Sequence, residues 1–414
     1  MSQPKKSKTA VATKESDCPV VVAGHICFDI IPSFTCKKGT AFSELFVPGK
    51  LINMGPMTFS SGGPVSNTGI GLKILGINAA LMGKAGDDLI GENLLESLKK
   101  RDVSEGMVVV PGEQTSYTVV VSPPGVDRVF LHNPGANNTF KAEDVDYDRV
   151  SRAKVFHFGY PPLMRTIYAD EGKELVKIFK RVKELGVTTS LDMSVPDPNS
   201  ESGRVNWRGV YEALLPYVDF YLGSVEETLF ILDRPKFDQL RSLAKGHDPL
   251  DNLDLDTLPP LGELLLSMGT RVAVMKCGWK GYYIRTSDEA RMAGIGRAAP
   301  ADMKNWANRE LHCESFHVPD VASATGSGDS SIAGFWAAYL RNQSIEQCIE
   351  MACAVGGRNV TAFDAISGLK SWDETNRLVK DGWPRNRLDQ GGSYWKYDQS
   401  RALRTGAKDR TRRA

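Results

Sequence analysis

Residues 323 to 340 read SATGSGDSSIAGFWAAYL, a glycine-serine-glycine-aspartate turn set directly against an apolar run. Gly326, Ser327 and Gly328 are small enough to let a phosphate approach the main chain. Free N–H groups at a helix start, together with the macrodipole, attract an anion there. Ile332, Phe335, Trp336 and Tyr339 recur at helical spacing and anchor the helix to a core. Asp329 in that position is either a first-turn cap or a general base that takes a proton from a hydroxyl attacking phosphorus. The turn alone does not choose between the two.

The elements that must position this turn are legible as alternating strands and helices. VVVAG (20–24), AALMG (79–83), KVFHFG (154–159), VTTSLDM (187–193), VDFYLG (218–223) and RVAVMK (271–276) have the composition of short buried strands. Helical stretches such as 88–100 and 171–185 lie between them, which predicts an α/β fold on a mainly parallel sheet. Ligands of such sheets bind beyond the carboxyl ends of the strands, so Asp192, Ser224 with Glu226 and Glu227, and the loop from Lys276 to Gly281 are expected around one crevice. A second glycine turn precedes a helix in SSGGPVSNTGIGLKILG (60–76), where Gly62 and Gly63 turn the chain and Pro64 suits a first helical position. TSYTVVV (115–121) and DRVFLHN (127–133), joined by SPPGV, read as a hairpin that extends a lid begun by the polar excursion up to residue 60. SIEQ (344–347) is a capping box for a last long helix reaching about Phe363, and segments 234–262 and 286–313 read as surface insertions.

Composition narrows the function. The 414 residues are 41% hydrophobic and 24% charged with a net charge of +1, so nothing draws the chain to nucleic acid or an anionic membrane, and the substrate is expected to be small. No run of about 18 apolar residues predicts a membrane span. Residues 1–17 read as a loose tail, and the Arg-rich end RALRTGAKDRTRRA as a solvated one. Seven scattered cysteines without a Cys-x-x-Cys pair suit reduced thiols in a cytoplasm, and His312, Cys313 and His317 lack the second cluster that a metal site needs.

GGPVSNTGIGLKILG and ATGSGDSSIAGF, in that order, resemble the early and late signatures of the ribokinase-like, or PfkB, family of carbohydrate and nucleoside kinases. Asp29 after the first strand, DRVFLHNPGAN, VDFYLGSVEE and KCGWKG are similar to lesser elements of that family, and the match runs over roughly residues 19 to 370. The resemblance implies a ribokinase-like three-layer α/β sandwich with a mainly parallel central sheet and a small β lid. It implies a kinase domain over 18–395, a lid from about 31–60 and 115–133, and a basic tail at 396–414. The implied activity is transfer of the γ-phosphoryl group of ATP to a hydroxyl of a sugar or sugar-like molecule; a nucleoside kinase and a non-catalytic ligand-binding protein on the same fold are the alternatives.

Carried over by position, the resemblance makes Asp329 the catalytic base and Gly326, Ser327 and Gly328 the anion hole. Asp29, Gly62, Gly63 and Asn67 would hold substrate hydroxyls, and Lys276 and Gly278 would border the nucleotide. Glu227 would arrange Mg2+ around the phosphates, directly or through water, and the pattern leaves room for a monovalent cation such as K+. Partners are then a small-molecule sugar or nucleoside and, through the lid strands, a second copy of the chain, without nucleic acid or membrane. Ser224, Ser323 and Ala324 depart from the family's usual residues and bear on metal and cation geometry; Cys353 stands where some relatives carry asparagine beside the adenine.

Overall fold

Val20–Gly24 forms β1, and all five residues are buried, as expected of a strand covered on both faces. Val20 and Val22 enter one apolar core and Val21 and Ala23 another, so the strand separates two helical layers. The computed structural model describes residues 18–124, 128–245, 247–389 and 391–412; the tail expected at 1–17 and the tip of the SPPGV turn, 125–127, lie outside the described residues.

After β1 the chain runs through β2 (Cys27–Phe34), β3 (Met54–Gly62), β4 (Ala79–Met82), β5 (Lys84–Gly86), β6 (Val108–Val110), β7 (Tyr117–Val121) and β8 (Val129–Asn133). It returns to the sheet with β9 (Val155–Gly159), β10 (Thr188–Asp192), β11 (Phe220–Ser224) and β12 (Val272–Lys276). The last strands are β13 (Tyr282–Thr286), β14 (Glu310–Cys313), β15 (Lys396–Asp398) and β16 (Leu403–Thr405). The central sheet has the order β15-β16-β14-β13-β12-β11-β10-β9-β1-β4. From β12 to β4 every pairing is parallel, and from β12 to β15 every pairing is antiparallel. The six strands expected from sequence all form, and they form the parallel part.

Helices Gly63–Ile74, Ser327–Tyr339 and Ile345–Asn359 cover one face, and Arg165–Glu184, Trp207–Leu214 and Leu258–Ser267 the other. The capping box at Ser344 and Gln347 is present, and its helix stops at Asn359, short of Phe363. The expected lid is a separate four-stranded sheet, β3-β2-β7-β8. Its register puts Asp29, Ser60, Thr118 and His132 on one face and Ile30, Phe59, Val119 and Leu131 on the other. Phe59 and Leu131 are more than half exposed.

Three expectations are corrected. The segment expected as a solvated tail from 396 onward supplies β15 and β16, because Arg404 is buried against Glu314 (2.7 Å) and Asp409 is buried against Arg309 (3.0 Å). Its arginines and acids pair with buried partners in the sheet, which charge counting along the chain does not reveal. Segment 234–262 contributes Phe237, Leu240, Leu258 and Leu261 to a core, and segment 286–313 contains β14, so neither is a surface insertion. Among the described residues no helix is long and apolar enough to cross a membrane, and no group of three or more metal-binding side chains includes His312, Cys313 or His317.

Candidate active site

Two helix starts meet beyond the carboxyl ends of the parallel strands. Gly62 ends β3 and caps the helix Gly63–Ile74, with Pro64 in its first turn, as the dipeptide predicts. Gly326 caps the helix Ser327–Tyr339 with φ +73, and a Cβ there would lie 2.4 Å from the Ala365 Cβ, so only glycine fits. The helices touch at their first turns. Asn67 Nδ2 donates to Asp329 Oδ2 at 2.8 Å, and Thr68 Oγ1 to the Asp329 carbonyl at 3.3 Å. Asp329 Oδ1 has no hydrogen-bond partner although the residue is 1% exposed. Burial raises the affinity of this carboxyl for a proton; Asn67, Lys276 and Tyr160 pull the other way.

Of the three residues expected to form the anion hole, Ser327 turns its N–H back to the Ala324 carbonyl at 3.2 Å. The N–H groups of Gly326, Gly328 and Asp329 have no backbone acceptor among the described residues, so these three form the donor face of the turn. Lys276 adds a cation, its Nζ within 3.7 Å of the position a Cβ on Gly328 would take. Its Nζ is 2.5 Å from the buried Asp192 Oδ1. Burial alone would lower the affinity of Lys276 for its proton, but Asp192 and Glu227 outweigh it and keep the ammonium charged.

The two sides of the turn open into different clefts. One, of about 1340 Å³, is lined by Asp29, Gly63, Asn67, Glu227, Gly326 and Asp329 among others. The second, of about 510 Å³, is lined by Lys276, Gly278, Ser327 and Cys353 among others, and Ala324 and Gly328 line both. Asp29, Gly63, Asn67 and Asp329 thus line the larger cleft and Lys276 and Gly278 the smaller, with Gly328 between them. Gly62 does not line either wall; it sits behind Asp29, where a Cβ would be 2.2 Å from Oδ2. Glu227 is a helix cap as well: its Oε2 accepts the Ser224 N–H at 2.5 Å while Ser224 Oγ accepts the Glu227 N–H at 3.1 Å. The Ser-x-x-Glu spacing at 224–227 carries that signal in the sequence.

Asp192 was expected at the crevice and pairs with Lys276 there, but Tyr160, His25 and His132 were not singled out. Tyr160 follows the last residue of β9 in a left-handed conformation (φ 60) and its hydroxyl faces Asp329, favouring the ionised carboxylate. It stands at a strand end, so the strand-end rule would have found it.

A buried, half-uncommitted carboxylate between a polar cleft and a turn with free N–H groups suits transfer of a phosphoryl group to an alcohol. The helix-covered parallel sheet with its small β lid is the frame of such a kinase. The pfkB family carbohydrate kinase model matches residues 39–372, and the chain belongs to that family. A probable fructokinase-5 of Arabidopsis thaliana is 30% identical over 384 residues, covering 88% of this chain and 98% of the relative. Among solved structures, Arabidopsis thaliana ribokinase complexed with ribose and ATP superposes with a TM-score of 0.64 at 17% identity, over 88% of this chain and 99% of that one. A putative ribokinase II from E. coli with ATP and Mg2+ gives a TM-score of 0.61 at 20% identity, over 87% and 99%. The chain is an ATP-dependent carbohydrate kinase.

Proposed function

We propose that the substrate is a neutral sugar of the fructose kind, and that the hydroxyl to be phosphorylated docks against Asp329 Oδ1. Oδ1 carries this reading: Asn67 fixes the other oxygen at 2.8 Å, and Oδ1, with only the Tyr160 hydroxyl toward the carboxylate, keeps a lone pair open to take a proton. The substrate cleft is lined by five carboxylates against three guanidinium groups, which disfavours an anionic sugar. A fructokinase relative at 30% identity supports the same substrate class.

In this mechanism Asp29 and Asn67 orient the sugar, and Asp329 accepts the hydroxyl proton as the oxygen attacks. The N–H groups of Gly326, Gly328 and Asp329 and the Lys276 ammonium face the transferred group and offset its charge. The lid sheet excludes water, which would otherwise compete as acceptor. Mg2+ would neutralise phosphate charge when the nucleotide is bound. No three acidic or imidazole groups converge as direct ligands among the described residues, so the fit is to an ion held chiefly by phosphate and water, with Glu227 as the outer carboxylate. Ser323 Oγ, where the resemblance leaves room for K+, already accepts the Thr325 N–H and bonds Thr325 Oγ1, and K+ plays no part in this mechanism.

Two copies stacked through the exposed outer face of the lid, around Phe59 and Leu131, form the proposed dimer, which sedimentation would detect. Seven free cysteines suit a cytoplasmic location. The decisive experiment is an ATP-consumption screen over sugars and nucleosides with Asp329→Asn as control. We expect turnover of fructose, a loss of about 10²–10⁴-fold in the variant, and unchanged ATP binding. Turnover of nucleosides alone would overturn the substrate assignment, and an active Asp329→Asn enzyme would overturn the role of the base.

A further inference from the structure

Lid and core meet at a chain of side chains of which the mechanism above uses only Asp29. Asp29 Oδ1 accepts from Cys27 Sγ at 3.3 Å. Thr118 Oγ1, on the neighbouring strand β7, donates to Cys27 Sγ at 3.6 Å and lies 3.0 Å from His132 Nδ1 on β8. His132 Nε2 is in turn 3.3 Å from the Nε2 of His25, which sits between β1 and β2. Asp29, Thr118 and His132 are directly opposite one another on consecutive strands of the lid, so their contact follows from register.

The carboxylate sets the direction of every bond in the chain. Ionised, it only accepts, so the Cys27 S–H turns toward it and the Thr118 O–H turns toward Cys27 Sγ. Thr118 then offers His132 only a lone pair, which places the ring proton of His132 on Nδ1. His132 Nε2 is left as an acceptor and His25 Nε2 as its donor. Burial keeps both imidazoles neutral, so the arrangement persists near neutral pH.

We propose that Thr118 and His132 are positioning residues for Asp29: docked lid strands hold its carboxylate in the accepting form and aim it at a substrate hydroxyl. This rests on the role given to Asp29 above. Burial raises the Asp29 carboxyl to about 6, the Cys27 hydrogen bond and the Thr118 hydroxyl beside it oppose that rise, and the nearby Asp329 carboxylate adds to it. Around it the cleft also presents Arg128 of the lid hairpin, the rings of His25 and His132, and Tyr160, Glu227 and Asp329 from the core.

The test is the pH dependence of KM for the sugar. Thr118→Val keeps the shape of the side chain and deletes its hydroxyl. Without that donor the carboxyl gains its proton at higher pH, so the acid-side rise in KM should begin about one pH unit higher, with kcat at saturation within about twofold of wild type. Thr118→Ser should restore the wild-type profile, and His132→Gln should displace it in the same direction. Asp29→Asn is the control: it should raise KM at every pH. If Asp29→Asn leaves KM unchanged, the role of Asp29 itself fails. If Asp29→Asn raises KM while Thr118→Val and His132→Gln leave the profile where it was, the positioning role is overturned.

Discussion

Alanine at Gly62 isolates a single steric contact. Gly62 has φ −126 and ψ 175, extended backbone that any residue adopts, so the main chain does not forbid the change. The obstacle is Asp29, because a Cβ at Gly62 would lie 2.2 Å from its Oδ2 and 2.5 Å from its Cγ. Ordinary contact between such atoms is about 3.5 Å, so the carboxylate must retreat by more than about 1 Å. A displacement of that size in a substrate-orienting group costs about 10²-fold in kcat/KM, and the crowding costs about 1–3 kcal/mol of stability. Steady-state kinetics on Gly62→Ala should therefore show a raised KM for the sugar with ATP binding intact, since Lys276 and Gly278 line the other cleft. A variant within about threefold of wild type in kcat/KM would refute the argument that Asp29 is held against this glycine. Gly63→Ala is a different perturbation: φ is +82 and the new Cβ would meet His25 Nδ1 at 2.7 Å, so backbone strain joins the clash and thermal stability should fall further.

Asp29 should also leave a mark on stability. Its folded value of about 6 lies above the ordinary 3.8, so the ionised form costs about 3 kcal/mol at neutral pH and that cost is relieved as pH falls from 6 toward 3.8. The stability of wild type relative to Asp29→Asn, from urea unfolding, should therefore improve by about that amount between pH 7 and pH 4. Lys276→Met leaves the fully buried Asp192 without its cation, and a loss of about 3–5 kcal/mol is expected along with weaker ATP binding. Ending the chain after residue 395 removes β15, β16 and the Arg404–Glu314 pair, so the truncated protein should melt well below the full chain in calorimetry.

Much of this was legible in the sequence because the responsible signals are local. Val20–Gly24, Thr188–Asp192 and Val272–Lys276 are apolar runs that end in turn residues, and each became a parallel strand. Gly-Gly-Pro and Gly-Ser-Gly-Asp fixed two helix starts, and those starts carry Asn67 and Asp329. What escaped depends on partners distant along the chain. Arg404 reads as a tail residue until Glu314 is found beside it, 90 positions earlier. Tyr160 and His132 are ordinary aromatic residues until register and a left-handed turn bring them to the cleft. Ser327 was expected to offer its N–H to an anion, but the turn closes locally on Ala324 instead, a backbone detail that residue type does not reveal.

The bond from Asn67 to Asp329 joins residues 262 positions apart. During synthesis the carboxylate of Asp329 therefore cannot acquire its partner until four-fifths of the protein has left the ribosome, so a nascent or prematurely terminated chain lacks the centre proposed above. Neither half produced by cleavage between those helices would be active alone, whereas the two halves mixed together could regain turnover only by rebuilding the shared central sheet and, with it, that contact.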